Sequence, residues 1–225
     1  MYIGYVVYYF TRSSFKVLDL FFIKEGILTK ESHGFILASA GLAYAISKFL
    51  SGILTDLTSP SILMALGLFI SGSINIFMAD QSNFDAFFLF WTINGLAQGL
   101  GWPPVANMLT KWYITKERGS WWGFWSTSHN LGEFLMPLIV VMFANNWKMG
   151  LYVPGFLAII TSVFLLNRLR SSPKDAGLKE IKDSEASSDF MKKEGSFYET
   201  LIKYVFSNRY IWFLILSSSL IYFVR

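Results

Sequence analysis

The sequence predicts an all-α membrane protein: a bundle of six helices, then a polar linker and the opening of a seventh helix. Three observations predict it. Six mostly apolar runs lie near 2–22, 34–55, 61–79, 86–109, 121–143 and 149–167, each about the 20 residues a helix needs to cross a bilayer. Only 15% of the 225 residues are charged and 53% are hydrophobic, which excludes an ordinary soluble domain. Lys and Arg also follow topology. Lys111, Lys116 and Arg118 share one connection, and Arg168, Arg170 and Lys174 begin the linker. The opposite connections hold Lys24, Lys30 and Lys148, the first two beside Glu25 and Glu31. This bias puts the linker and the start of the first helix in the cytoplasm.

The backbone of each run must satisfy itself in lipid, so the runs are helices. In the first, Tyr5, Tyr8, Tyr9, Arg12 and Lys16 recur at helical spacing, most of them on one face. Cations within a membrane run are costly and mark function or pairing. A guanidinium among hydroxyls suits an anion rich in acceptor oxygens. Lys16 alternatively snorkels to the interface, or pairs with Asp19.

In the second run Tyr44 and Lys48 share a face, and no carboxylate lies nearby in that helix. A structural salt bridge is the plainer use of Lys48. Gly52-Ile53-Leu54-Thr55-Asp56 then forms a Gly-x-x-x-Asp corner, which resembles a known helix-packing and gating motif but lacks the basic residues that follow Asp in it. The third run, 61–79, is mostly apolar. The fourth carries Asn94-Gly95-Leu96-Ala97-Gln98-Gly99-Leu100-Gly101-Trp102-Pro103-Pro104. Gly95 and Gly99 allow close helix contact, and Pro103 and Pro104 must bend the helix. Packing and cavity lining explain this stretch equally well.

The fifth run stacks Trp125, His129 and Glu133 at intervals of four. One reading is a buried, hydrogen-bonded histidine. The other is a substrate-side imidazole whose charge depends on Glu133 and on bound anion. The sixth run, 149–167, closes the bundle at 1–167. Residues 168–209 form a polar linker whose end, 197–206, either lies on the membrane surface or is a simple tether. Residues 210–225 open a seventh helix that ends on Arg225, so a second bundle is missing from this sequence.

These segments resemble the organophosphate:phosphate antiporters of the major facilitator superfamily. The matches are Gly4 through Arg12, Ala43 through Phe49, Gly95 through Pro104, Lys116-Glu117-Arg118-Gly119, and Trp125 through Asn130. The wording is more similar to the hexose-phosphate and glucose-6-phosphate branch than to the glycerol-3-phosphate branch. The resemblance implies an N-terminal half with a phosphate site on the pseudo-symmetry axis. Arg12 and Arg225 match the family's two phosphate-holding arginines. Tyr5, Tyr9, Tyr44, Lys48 and His129 match supporting positions, and Trp102 and Trp125 match nearby aromatics. Val105-Ala106-Asn107 departs from the family's small-Gly-basic sequence, and Glu133 stands where relatives often have Gly.

The function expected is exchange of a sugar phosphate for inorganic phosphate in a bacterial inner membrane. The alternatives are a hexose phosphate receptor that signals to a partner sensor kinase, and an inactive half-transporter. Without Cys there is no disulfide or thiolate site, and two His build no metal cluster by themselves. No Ser-His-Asp arrangement, Walker loop or metal-ligand spacing is present, so neither an enzyme nor a cofactor is expected. No basic stretch precedes the first run to suggest a signal peptide. The net charge of +4 is explained by topology rather than by nucleic acid.

Overall fold

The computed structural model describes residues 1–179, 181 and 207–224. Arg225 and the segment 197–206 lie outside the described residues, as does most of the linker. Residues Met1–Ile181 form one compact unit and Lys182–Arg225 a second. In the second, helix α9 spans Arg209–Val224.

Every regular element among the described residues is helical. In the first unit these are α1 (Tyr2–Val17), α2 (Asp19–Lys24), α3 (Lys30–Leu57), α4 (Pro60–Met78), α5 (Phe84–Gly99), α6 (Trp102–Trp112), α7 (Thr115–Met142) and α8 (Met149–Arg168). A short 3-10 turn, Lys174–Ala176, follows. Local chemistry sets several boundaries. Thr29 caps α3 by accepting from the Ser32 N–H at 3.2 Å, and Asn83 caps α5 by accepting from Ala86 at 2.8 Å. Pro60 opens α4, where a helix needs no donor N–H.

Three helices, α3, α4 and α8, are each long and apolar enough to cross a membrane. Two expected spans are broken. The run at 2–22 divides at Leu18 into α1 and α2, instead of forming one helix. A continuous helix would commit the Phe15 carbonyl to the Asp19 N–H. Here His33 of α3 takes that carbonyl, with Nε2 at 3.2 Å, and its Nδ1 lies 3.0 Å from Asp19 Oδ1. Asp19 therefore pairs with His33 and not with Lys16. The run at 86–109 divides at Leu100–Gly101, ahead of the proline pair, into α5 and α6. Pro103 and Pro104 thus stand at a helix start, where their missing N–H costs nothing.

Packing follows small residues. Helix α3 lies along α5, α4 along α8, and α1 along α7. Gly95 faces the Ala40 backbone, and a Cβ on Gly99 would lie 2.5 Å from Ser47 Cβ and 2.7 Å from Lys48 N. Both positions of the Gly-rich stretch are therefore close-packing sites. Gly52 differs: a Cβ there would meet nothing within 4 Å among the described residues. Gly52 thus makes no close helix contact among the described residues. Asp56 does bridge elements, accepting from Asn107 Nδ2 of α6 at 3.4 Å. Beyond α4, Lys148 Nζ and the Tyr152 hydroxyl reach Asp80 at 3.4 and 2.7 Å. The Tyr152 hydrogen bond, and then Lys148, hold the Asp80 carboxyl below its ordinary pKa.

Candidate functional site

The site begins with how α1 is held. Thr11, Ser14, Ser71, Asn75 and Asn94 are all buried to 2% exposure or less. They form one polar network with Gln98. Asn75 and Asn94 both donate to the Thr11 carbonyl, at 3.1 and 3.2 Å. Gln98 Nε2 reaches Thr11 Oγ1 at 3.0 Å and Ser71 Oγ at 2.7 Å. Ser14 donates to Asn75 Oδ1 at 2.6 Å. Polar side chains inside a membrane bundle hydrogen-bond across helices. Here they tie α1 to α4 and α5 at Thr11, the residue before Arg12. Asn94 and Gln98 lie in the Gly-rich stretch, and Ser71 and Asn75 share the same i, i+4 spacing, but no local pattern shows that these pairs converge on Thr11.

Arg12, one position on, points among aromatics. Its Cζ lies 4.3 Å from the Tyr44 ring centroid and 5.5 Å from that of Tyr9. Lys48 Nζ lies 4.7 Å from the Trp102 ring and 5.6 Å from Tyr44. Two cations from α1 and α3 thus share Tyr44, each over a π-face within cation–π range. Among the described residues neither makes an ion pair, so the salt-bridge reading of Lys48 finds no partner.

Helices α1 and α7 run parallel and in step. Tyr5 packs on Trp125 with centroids 4.5 Å apart, and Tyr9 on His129 at 5.5 Å. Tyr5 and Trp125 are buried, and the Trp125 indole N–H has no acceptor among the described residues. An unpaired buried donor is uncommon, and it suits a wall that a ligand or water completes. Trp102 stacks edge-on against Trp122, which in turn meets Trp125.

A cavity of about 280 Å³ opens beside Arg12. Helix α1 contributes Arg12, Ser13 and Lys16; α3 contributes Leu37, Ala40, Gly41 and Tyr44. Trp91, Asn94, Gly95 and Gln98 of α5 and Glu133 of α7 complete it. Of the residues singled out in the sequence, the structure therefore brings Arg12, Tyr44, Gly95 and Glu133 to one cavity. Tyr5, Tyr9, Lys48, His129, Trp102 and Trp125 form the adjoining aromatic layer instead. Pro103 and Pro104 stand in the first turn of α6. Lys16 lines the cavity, an outcome favouring neither its pairing with Asp19 nor a purely interfacial role. No hydrogen bond or ion pair joins His129 to Glu133 among the described residues, so the expected coupling between them has no direct contact. Arg225 lies outside the described residues. No group of His, Asp and Glu among the described residues has the arrangement of a metal site.

The comparisons with known proteins agree with this architecture. The chain is 40% identical over 241 aligned positions to a "Probable hexose phosphate transport protein" of Chlamydia pneumoniae, covering all of this chain and 53% of that protein. It is 38% identical to the "Membrane sensor protein UhpC" of Salmonella typhimurium, over all of this chain and 52% of the relative. It is 33% identical to a "Glycerol-3-phosphate transporter" of Bacillus subtilis, again over all of this chain and 53% of the relative. The chain thus spans about half the length of the curated relatives it matches. A crystal structure of a bacterial homologue of the human lysosomal transporter Spinster, inward-facing and unoccupied, shares the fold. Its TM-score is 0.72 at 16% identity, over 89% of this chain and 47% of that one. The Major Facilitator Superfamily profile matches residues 1–224. With this helical bundle and this sequence match, the chain belongs to the Major Facilitator Superfamily.

Proposed function

We propose that this chain supplies the N-terminal half of a phosphate-site transporter that exchanges a hexose phosphate for inorganic phosphate. The observation that carries this reading is Arg12. It is only partly exposed, lines a cavity, lies against two tyrosines, and makes no ion pair among the described residues. A half-buried cation without a carboxylate is costly, and a phosphoryl group would relieve that cost with bidentate hydrogen bonds. Arg12 would hold the phosphoryl oxygens, and the resemblance gives Arg225 the matching role. Lys48 and His129 would set the site's charge, and Tyr5, Tyr9 and Tyr44 would donate hydrogen bonds. Exchange follows if the empty site, with uncompensated cations, resists the rocking of the two halves and a bound anion removes that resistance. The linker, 168–209, would then join the halves on the cytoplasmic side of a bacterial inner membrane.

The test is uptake of labelled glucose 6-phosphate into phosphate-loaded liposomes containing the full-length protein. Arg12→Ala should abolish uptake. Uptake that survives intact refutes the phosphoryl assignment. A second reading, a membrane receptor of hexose phosphate that signals to a sensor kinase, draws support from the 38% identity to a membrane sensor protein. It predicts hexose phosphate binding without exchange in the same liposomes, and a sensor-kinase gene beside this one.

A further inference from the structure

We propose that Glu133 reads the hydroxylated end of the substrate while Arg12 holds its phosphoryl end. This rests on the phosphate site proposed above and gives that site its selectivity. The placement follows from the stepwise packing of α1 on α7. Tyr5 meets Trp125 and Tyr9 meets His129, and the next layer brings Glu133 to the cavity wall with Ser13 and Lys16. Gly132 fixes that height. A Cβ there would lie 2.5 Å from Tyr9 Cβ and 2.8 Å from the Val6 carbonyl oxygen, so the two backbones are in contact one residue before Glu133.

A carboxylate is the wrong group for a cavity that takes phosphate alone. It repels the anion and accepts hydrogen bonds but donates none when ionised. Among the described residues it also has no ion-pair partner that would neutralise it. Its chemistry fits a ligand with a phosphate at one end and hydroxyl donors at the other. Hydroxyl-to-carboxylate hydrogen bonds are charge-assisted and stronger than neutral ones. Trp91, buried to 3% exposure, adds an apolar face on the same cavity. The chemistry of the two ends fits a polyhydroxylated monophosphate, a hexose phosphate, discriminated from inorganic phosphate by Glu133.

The experiment measures inhibition constants of glucose 6-phosphate and of inorganic phosphate on the full-length protein in liposomes, for wild type, Glu133→Gln and Glu133→Leu. Loss of a charged hydrogen-bond acceptor should weaken glucose 6-phosphate by about tenfold or more in Glu133→Leu. The effect should be smaller in Glu133→Gln, whose amide oxygen still accepts. Inorganic phosphate should bind both variants as well as wild type, or more tightly, since a repelling charge is gone. An unchanged ratio of the two constants, or equal weakening of both ligands, overturns the assignment while leaving the phosphate site standing. If wild type binds neither ligand, the phosphate site itself fails and the role of Glu133 falls with it. Retained phosphate binding in either variant also shows that the variant is folded.

Discussion

Replacing Gly99 by alanine decides between two opposing effects at one position. In an open helix, Gly→Ala stabilises by up to about 1 kcal/mol. At Gly99 the new Cβ would lie 2.5 Å from Ser47 Cβ and Oγ and 2.7 Å from Lys48 N. Carbon contacts are comfortable at roughly 3.5–4.0 Å, so α3 and α5 must part by about 1 Å. Overpacking of this kind costs about 1–3 kcal/mol, which outweighs that gain and leaves a net destabilisation of up to about 2 kcal/mol. Ser47→Gly alone also destabilises. It removes the Ser47 bond to the Leu96 carbonyl at 2.5 Å, about 0.6 kcal/mol in a membrane bundle, and adds a helical glycine at about 1 kcal/mol. In the double variant the clash with the Ser47 side chain disappears and only the Lys48 backbone contact remains. The double variant should therefore be more stable than the sum of the singles predicts, by about 1 kcal/mol. Unfolding in detergent measures all three. Additivity within about 0.5 kcal/mol, or a Gly99→Ala protein more stable than wild type, refutes the reasoning. Because Lys48 moves with α3, Gly99→Ala should also weaken phosphate binding.

Further expectations concern the site and its supports. Tyr44→Leu removes the ring 4.3 Å from Arg12 and should weaken phosphate binding about two- to thirtyfold, as a cation–π contact of about 0.5–2 kcal/mol implies; Tyr44→Phe should retain most affinity in the same titration. Asn75→Leu severs the links to Ser14 and the Thr11 carbonyl and should destabilise by about 1 kcal/mol, read as a lower Tm. The Asp80 carboxyl is held below its ordinary pKa by Tyr152 and then Lys148, so its contribution to stability is present above about pH 4 and is lost as pH falls through the folded-state value. A plot of Tm against pH should therefore fall on the acid side in wild type and flatten in Asp80→Asn.

Much of this was legible in the sequence because membrane helices announce themselves by length and apolarity. Arg12, Tyr44 and Lys48 stood out for a related reason: a cation in an apolar run is conspicuous, and helical spacing gives it neighbours. The breaks were harder. Pro103 and Pro104 marked the one between α5 and α6, while Leu18 has no Pro or Gly beside it. The first break is coupled to His33, a residue on another helix, and no local pattern shows such a partner. Glu133 was visible as an odd acid, but its cavity is built by four helices and emerges only when they are assembled.

Helix α3 touches both broken spans, and it does so at opposite ends. His33, in its first turn, holds Asp19 of α2; Asp56, in its last, holds Asn107 of α6. These residues are roughly 35 Å apart along one uninterrupted helix. The two short tips are therefore fastened to the ends of a single beam. Cutting either clamp should therefore free its own tip without releasing the other, because the two contacts share only the helix between them.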